Sequence, residues 1–467
     1  TIIAARCMCY LAVSRTCPIV YGLLLHRARQ GPAWQSGSGG LPKHEPGARL
    51  GRSHTMSQTF ELELVAMAHG GSALGRHEGR VIFVPYTIPG ETVWVEMVEA
   101  RTRWGRGRLL EILEPSPHRV EPPCPYFGPD KCGGCHFQQI AYEAQAEYKR
   151  EVVIDQLARL GGLHDTNVQE IIGAAEPWAY RNHAQFSTTL EGQLGFLTAD
   201  THHVVPVEEC LILDPLLDDL RAALDMEWPQ LHRLSLRCGS ATGDRMAIFE
   251  LNDYEDFDIE VDFPVSCVIL LADGEAVVLM GNTFLEEQVA GRDYRISANS
   301  FFQVNTAGAE ALVALVHESL APTSSDTLLD LYCGVGLFGL SLADQVGRVL
   351  GVEADPSAAA DFRHNARGMD HVELIEGKTQ SVLPRITEPV DMLLLDPPRS
   401  GAGQGIIDQI AHLKPRRIAY VSCDPATLAR DARHLTENGF LLQEVQPVDL
   451  FPQTFHVETV ALFARQE

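Results

Sequence analysis

Between residues 56 and 115 the apolar positions come in short runs, FELELVAM, RVIFVPY, ETVWVEMVEA and GRLLEIL, broken by Gly/Pro turns every 8–12 residues. That pattern predicts about five half-buried strands, enough for a small OB-like barrel. Residues 116–137 lose the pattern and become a Pro/Cys/Gly-rich loop. An amphipathic helix follows over about 138–162 (YEAQAEYKREVVIDQLARL), stopped by Gly161 and Gly162 and expected to pack on the C-terminal domain. From 168 to 300 the chain alternates again (HAQFSTTL, HHVVPV, MAIFEL, CVILLA) and predicts a β-rich central domain over 116–300. From 301 to 467 it repeats apolar strand, Gly turn and helix, the signature of an α/β domain with a parallel sheet. His202 and His203 fall in an alternating run and need no metal to explain them.

The first 55 residues carry seven basic side chains and one acid, net +6, against net −31 for residues 56–467. They start at Thr1, show no periodicity, and end just before Met56, which opens the patterned sequence. An over-extended gene start or an Arg-rich targeting segment accounts for them, and no fixed structure is expected there. The 45% apolar content excludes global disorder, and no apolar run reaches the ~18 residues of a membrane helix. A net charge of −25 argues weakly against nucleic acid, because binding follows local patches. One such patch is RTRWGRGR, where Arg101, Arg103 and Arg106 surround Trp104; arginines can pair phosphates while an indole stacks a base.

Four strand ends in the α/β domain carry chemistry. TLLDLY runs into CGVGLFG, RVLGV ends at Glu353, DMLLL ends at Asp396 before PPRSGAG, and RIAYVS ends at Cys423 before DPATLARD. Ligands in open α/β sheets sit outside the carboxyl ends of the strands, so all four should share one crevice. Gly334, Gly336 and Gly339 match a nucleoside-cofactor fingerprint, and Glu353 stands where an acid binds ribose hydroxyls. The fingerprint alone also admits a nicotinamide oxidoreductase, which has no evident use for DPPR or a strand-end cysteine. Asp424 and Pro425 read as the N-cap and first residue of a helix, whose positive end is expected to lower the Cys423 thiol and yield a nucleophile. Beside a methyl donor, a thiolate that adds to C6 of a pyrimidine makes C5 nucleophilic; a base must then remove the C5 proton.

Together, CGVGLFG, LDPPRSGAG, VSCDPATLARD and FPQTFHVE resemble the RNA uracil-C5 methyltransferases over essentially all of 56–467. The resemblance implies a Rossmann-like doubly wound methyltransferase domain, a β-rich central domain and a TRAM-type barrel. It implies S-adenosylmethionine as cofactor, Cys423 as nucleophile and Glu458 as the proton-abstracting base. It implies Gln303, Tyr332, Glu353 and Asp396 as cofactor contacts, and Phe301 and Arg399, with the barrel patch, as contacts to a flipped-out target base in structured RNA. Two positions depart from the family. Leu337 stands where some members have Asn, and Asp424 replaces the commoner Asn, its charge opposing a thiolate at Cys423.

Of eleven cysteines, Cys124, Cys132 and Cys135 cluster in the Pro/Gly loop and Cys210 lies downstream. Ligand count alone leaves zinc and an iron–sulfur cluster open. Some family members hold a four-iron cluster by a similar loop plus one distal cysteine, which implies [4Fe–4S] at these four residues in a structural role. Cys238, Cys267 and Cys333 read as packing thiols. The expected protein is a cytoplasmic monomer, and the barrel plus cysteine loop favours 23S rRNA over tRNA. A non-catalytic RNA-binding protein on the same fold is the contrasting reading, opposed by the intact Cys423 and Glu458.

Overall fold

The computed structural model describes residues 3–6 and 58–466, except 200, 202, 227–230, 232, 252–257 and 273. The N-terminal stretch therefore lies almost wholly outside the described residues, as does His202. Its one described piece, Ile3–Arg6, is a strand paired with Leu224–Met226 and Asp258–Glu260, where composition predicted no structure. His203 is exposed beside a short strand, Val204–Pro206.

Five strands, β1 (Thr59–Met67), β2 (Ala73–His77), β3 (Arg80–Val84), β4 (Thr92–Ala100) and β5 (Trp104–Glu114), close into a barrel in the order β1-β2-β3-β5-β4. The alternation seen in sequence puts Phe60, Leu62 and Leu64 of β1 inside with Ile82, Val84, Val93 and Val95. Closure removes the free edges that so short a sheet would otherwise expose. Helix α1 (Tyr142–Arg159) packs on two units: Ala144, Tyr148 and Val152 extend the barrel core, while Val153 and Leu157 join the core of the C-terminal domain.

The central domain is a seven-stranded mixed sheet of β6 (His183–Thr188), β7 (Leu194–Leu197), β8 (Val204–Pro206), β9 (Arg233–Cys238), β10 (Arg245–Leu251), β11 (Ser266–Leu271) and β12 (Ala276–Met280), ordered β12-β11-β10-β9-β6-β7-β8. A hairpin, β13 (Phe284–Val289) and β14 (Arg292–Ser297), leads to α2 (Thr306–Leu320), capped by Asn305 Oδ1 on the Gly308 amide at 3.0 Å.

The C-terminal sheet contains β15 (Thr327–Leu331), β16 (Arg348–Glu353), β17 (Val372–Glu376), β18 (Met392–Leu395), β19 (Arg417–Ser422), β20 (Phe440–Val448) and β21 (Glu458–Arg465). Their order is β17-β16-β15-β18-β19-β21-β20, parallel except for β21. Both faces are covered, which is why β18 is the unbroken run MLLL with every residue buried. Leu328 and Leu394 face α2, α3 (Leu337–Ser341) and α4 (Pro356–Asn365). Leu329, Leu393 and Leu395 face α1, α5 (Gln404–Leu413) and α6 (Pro425–Glu437). Strand order reverses between β15 and β18, which opens the crevice where the sequence places its four strand ends.

The segment between β20 and β21 is anchored by the N-terminal half of the chain. Lys149 Nζ pairs with Asp449 at 2.6 Å, both side chains fully buried, and also donates to the Phe451 carbonyl at 3.0 Å. Gln145 donates to Gln453 Oε1 at 3.0 Å and accepts from the Gln453 amide at 3.1 Å. The Tyr180 hydroxyl donates to the Pro452 carbonyl.

Candidate active site

At one end of the crevice, β15 breaks into a loop of left-handed residues: Tyr332 at φ 63°, Gly334 at φ 55° and Gly336 at φ 99°. Gly336 admits no side chain, because a Cβ there would run into Leu340 and Phe362. At the end of β16 Glu353 turns its carboxylate to this loop, with Oε2 accepting from the Gly334 amide at 2.9 Å. Its other oxygen accepts from the Ala354 and Asp355 amides at 2.6 and 2.7 Å. Asp330 was not singled out from sequence. It is buried within β15 and accepts from the Gly339 amide at 3.0 Å, holding the turn into α3. Burial, with Asp396 and Glu353 nearby, raises its carboxyl well above the usual range. The available signal was a lone acid inside the apolar run TLLDL.

Gln303 is buried and Phe301 is 69% exposed, on the loop between β14 and α2. That loop is pinned by Asp361, which accepts from the Ser297 amide at 2.7 Å and the Ser300 hydroxyl at 2.6 Å. Tyr332 turns its phenol towards Thr379.

At the other end, β19 delivers Cys423 half-buried, and Asp424 caps α6 with Oδ1 on the Ala426 and Thr427 amides at 3.0 and 2.9 Å. Pro425 occupies the first turn. Strand β21 pairs Thr459 with Ser422, so Glu458 at its start lies alongside Cys423. Glu458, Asp396 and Arg399 are close enough to Cys423 to shift its titration, and Asp396 and Arg399 act likewise on Glu458. The expectation of a lowered thiol is corrected here. Burial, followed by the charges of Glu458 and Asp396, pushes Cys423 up to about 12, and the helix end and Arg399 do not offset them. Burial raises Asp396 to about 7, and burial plus Asp396 raises Glu458 well above the ordinary carboxylate range. Two carboxylates in one buried pocket hold a proton near neutrality. Such a pair can take up or give a proton. Arg399 is exposed and stands 3.5 Å from His456 Nε2. His456, missed in sequence, is held low, at about 3, by burial and by Arg399.

Comparison with known proteins bears on this crevice. Residues 253–381 and 387–466 match the family described as tRNA (Uracil-5-)-methyltransferase. A Streptomyces avermitilis protein named an uncharacterized RNA methyltransferase is 39% identical over 427 residues, covering 87% of this chain and 98% of that protein. The chain belongs to the RNA uracil-C5 methyltransferase family. A Thermosynechococcus vestitus relative, likewise named an uncharacterized RNA methyltransferase, is 37% identical over 441 residues, 86% of this chain and 97% of that protein. The solved structure of the Pyrococcus abyssi tRNA (uracil-54, C5)-methyltransferase with S-adenosyl-L-homocysteine matches with a TM-score of 0.67 at 26% identity, over 87% of this chain and all of that one. The protein is an S-adenosylmethionine-dependent RNA methyltransferase, and the doubly wound α/β domain expected from sequence is the one observed. No helix among the described residues is long and apolar enough to cross a membrane.

Two further features of this methyltransferase lie outside the crevice. Cys124, Cys132, Cys135 and Cys210 all line one cavity of about 370 Å³, with Phe127, Phe196, Leu211 and Phe301 also in its wall. Burial raises Cys135 to about 12 and Cys210 to about 11. Among the described residues no three His, Cys, Asp or Glu side chains stand at single-ion spacing. The loop is tied to the central sheet by the Gly133 amide on the Leu197 carbonyl, and to the catalytic segment by the His136 and Phe137 amides on the Gln453 carbonyl, at 2.8 and 3.0 Å. On the barrel, Arg101, Arg103 and Arg106 are exposed and Trp104 stands edge-on to Phe83. Glu99 pairs with Arg101 at 2.9 Å and lies 3.9 Å from Arg106, so part of the patch's charge is already engaged. Cys238, Cys267 and Cys333 are buried.

Proposed function

We propose that this methyltransferase converts one uridine of 23S rRNA to 5-methyluridine through a covalent Cys423–C6 adduct. The observation that carries the reading is the strand-end Cys423 beside Glu458 and Asp396, across the crevice from the Glu353-gated glycine loop. S-adenosylmethionine supplies an electrophilic methyl group. Glu353 and Gln303 hold the cofactor, Tyr332 and Asp396 flank it, and Phe301 stacks on the flipped-out base while Arg399 and the barrel patch hold the RNA. Asp396 and Glu458 raise the thiol in the free protein, and the positive charge of a bound cofactor would offset that effect, letting the thiol give its proton to one carboxylate of the pair and leaving the other as base. The Cys423 sulfur bonds to C6, the electron pair moves through C5 onto the C4 oxygen, and C5 would take the methyl as the bond from that methyl to the cofactor sulfur breaks. Glu458 removes the C5 proton, the C5–C6 double bond reforms and the sulfur leaves.

The barrel and cysteine loop support rRNA; a monomeric cytoplasmic enzyme is part of the same proposal. A tRNA substrate is the second reading, favoured by the tRNA-named family and structural neighbour. The test offers tritiated S-adenosylmethionine with separate unmodified transcripts of 23S rRNA and tRNA. Label in rRNA alone supports the reading and label in tRNA alone replaces it. No label with cofactor still bound makes the chain a methyltransferase-shaped RNA binder. Glu353→Ala is expected to weaken S-adenosylmethionine binding by roughly 10- to 100-fold in calorimetry, the cost of losing charge-assisted hydrogen bonds.

Zinc and a [4Fe–4S] cluster would draw on the same four thiolates that line one cavity, and of the two we propose the cluster. Cys124, Cys132, Cys135 and Cys210 would hold it, and its role is to brace the loop that grips Gln453. Protein purified without oxygen is expected to carry iron and acid-labile sulfide at roughly four each per chain. Cys135→Ser should lose most of both and melt several degrees lower. Stoichiometric zinc instead would remove the cluster from the reading.

A further inference from the structure

The turn between β1 and β2 brings the barrel to the catalytic crevice. That turn is closed by the Ala68 amide on the Ser72 carbonyl at 2.9 Å and the Gly71 amide on the Ala68 carbonyl at 3.1 Å. Gly71 sits at φ 83°, and a Cβ there would meet Phe455 at 3.0 Å, so only glycine lets the turn lie this close. Phe455 is three residues before Glu458 and packs against the barrel core. One residue earlier in the turn than its glycine pair, His69 brings Nε2 to 3.3 Å from Asp424 Oδ2. Asp424 Oδ1 is taken by the α6 cap, so His69 meets the oxygen left over. The barrel turn thus touches both catalytic segments, the Cys423 loop through Asp424 and the Glu458 segment through Phe455.

We propose that His69 is a positioning residue for Cys423: it donates a hydrogen bond to Asp424 Oδ2 and so offsets the carboxylate charge next to the nucleophile. The departure from the family's commoner Asn gives the contact its purpose. An asparagine caps the helix without a charge, whereas Asp424 caps it and adds a carboxylate that opposes thiolate formation. His69 supplies the missing compensation from another domain. The charged groups around the thiol are Glu458, Asp396, Arg399 and Asp424, and the barrel meets Asp424 through His69. With that bond and its cap, the Asp424 carboxyl is held down at about 2 and stays ionised, so its charge must be answered at every working pH.

The proposal rests on Cys423 as nucleophile, so its test uses a readout that needs neither RNA nor turnover. The alkylation rate of Cys423 by iodoacetamide is followed by peptide mass spectrometry at pH 8 in wild type, His69→Ala, His69→Gln, Asp424→Asn and His69→Ala/Asp424→Asn. An uncompensated neighbouring carboxylate raises a thiol by about one unit, so His69→Ala is expected to slow alkylation about tenfold. His69→Gln keeps an N–H donor and should recover most of that loss. In the Asp424→Asn background, removing His69 should change the rate less than about twofold. Methyl transfer to RNA by the same proteins should follow in kcat with KM little altered. An equal effect of His69→Ala in both backgrounds, or none in either, overturns the proposal, as does a loss confined to KM, which would make His69 an RNA contact. Wild-type protein that transfers no methyl but keeps the alkylation pattern refutes the reaction and leaves the coupling in place.

Discussion

Cys423→Ala protein is expected to bind S-adenosylmethionine as wild type does and to transfer its methyl group to RNA at least about 10⁴-fold more slowly. The size of the effect follows from the chemistry. Without sulfur at C6, C5 of uracil has no electron pair to offer a sulfonium, and no other group in the crevice can replace it. Asp396, Glu458 and Arg399 are there to hold charge and protons, and none can add to C6 and leave again. The cofactor side is untouched, because the glycine loop and Glu353 lie on β15 and β16, at the other end of the crevice. Calorimetry for binding and incorporated tritium for turnover separate the two. Turnover within about tenfold of wild type would remove Cys423 from the mechanism.

Glu458→Gln is expected to lower turnover by roughly 10²- to 10⁴-fold while trapping RNA on the protein. The amide fills the same buried site but cannot take the C5 proton, so the methylated adduct accumulates and appears as a retarded band in a denaturing gel. The band should vanish in Glu458→Gln/Cys423→Ala. Wild-type kcat/KM should rise with pH through about 7. Burial holds Asp396 near that value and raises Glu458 as well. Below it Asp396 carries a proton and burial keeps Glu458 protonated too; as the pH rises through it the pair begins to lose protons and a carboxylate becomes able to act as base. A flat profile from pH 6 to 9, or a variant that turns over without adduct, would assign the proton to a different group.

Much of this site was legible in the residues because strand ends are where an open α/β sheet presents its chemistry. The apolar runs before Glu353, Asp396 and Cys423 end at those residues, so locating the strands located the crevice. The barrel was legible for a related reason: alternation in β1 and β4 survives closure, since a barrel has one inside and one outside. What the sequence misjudged was electrostatic. The start of α6 suggested a lowered thiol, but that local dipole competes with burial and with two carboxylates from β18 and β21, which only the folded chain brings together. His69 and His456 carried no signal of their own. Each matters through a partner hundreds of residues away or on a neighbouring strand end, and no spacing rule reaches that far. Asp330 did carry a signal, a charge in mid-strand.

The buried Lys149–Asp449 pair has a consequence for how the protein comes to be made. The ammonium emerges from the ribosome 300 residues before its carboxylate, and Gln145 emerges 308 residues before Gln453, with His136 earlier still. Until those late residues arrive, α1 has a lysine that it cannot bury without cost, and the cysteine loop lacks its second anchor. The loop can gain that second anchor only once residue 453 has been made. A freestanding 301–467 fragment would lack Lys149, Gln145 and Tyr180, the partners of Asp449, Gln453 and Pro452. The C-terminal unit is contiguous in sequence yet takes part of its buried polar pairing from residues before 301.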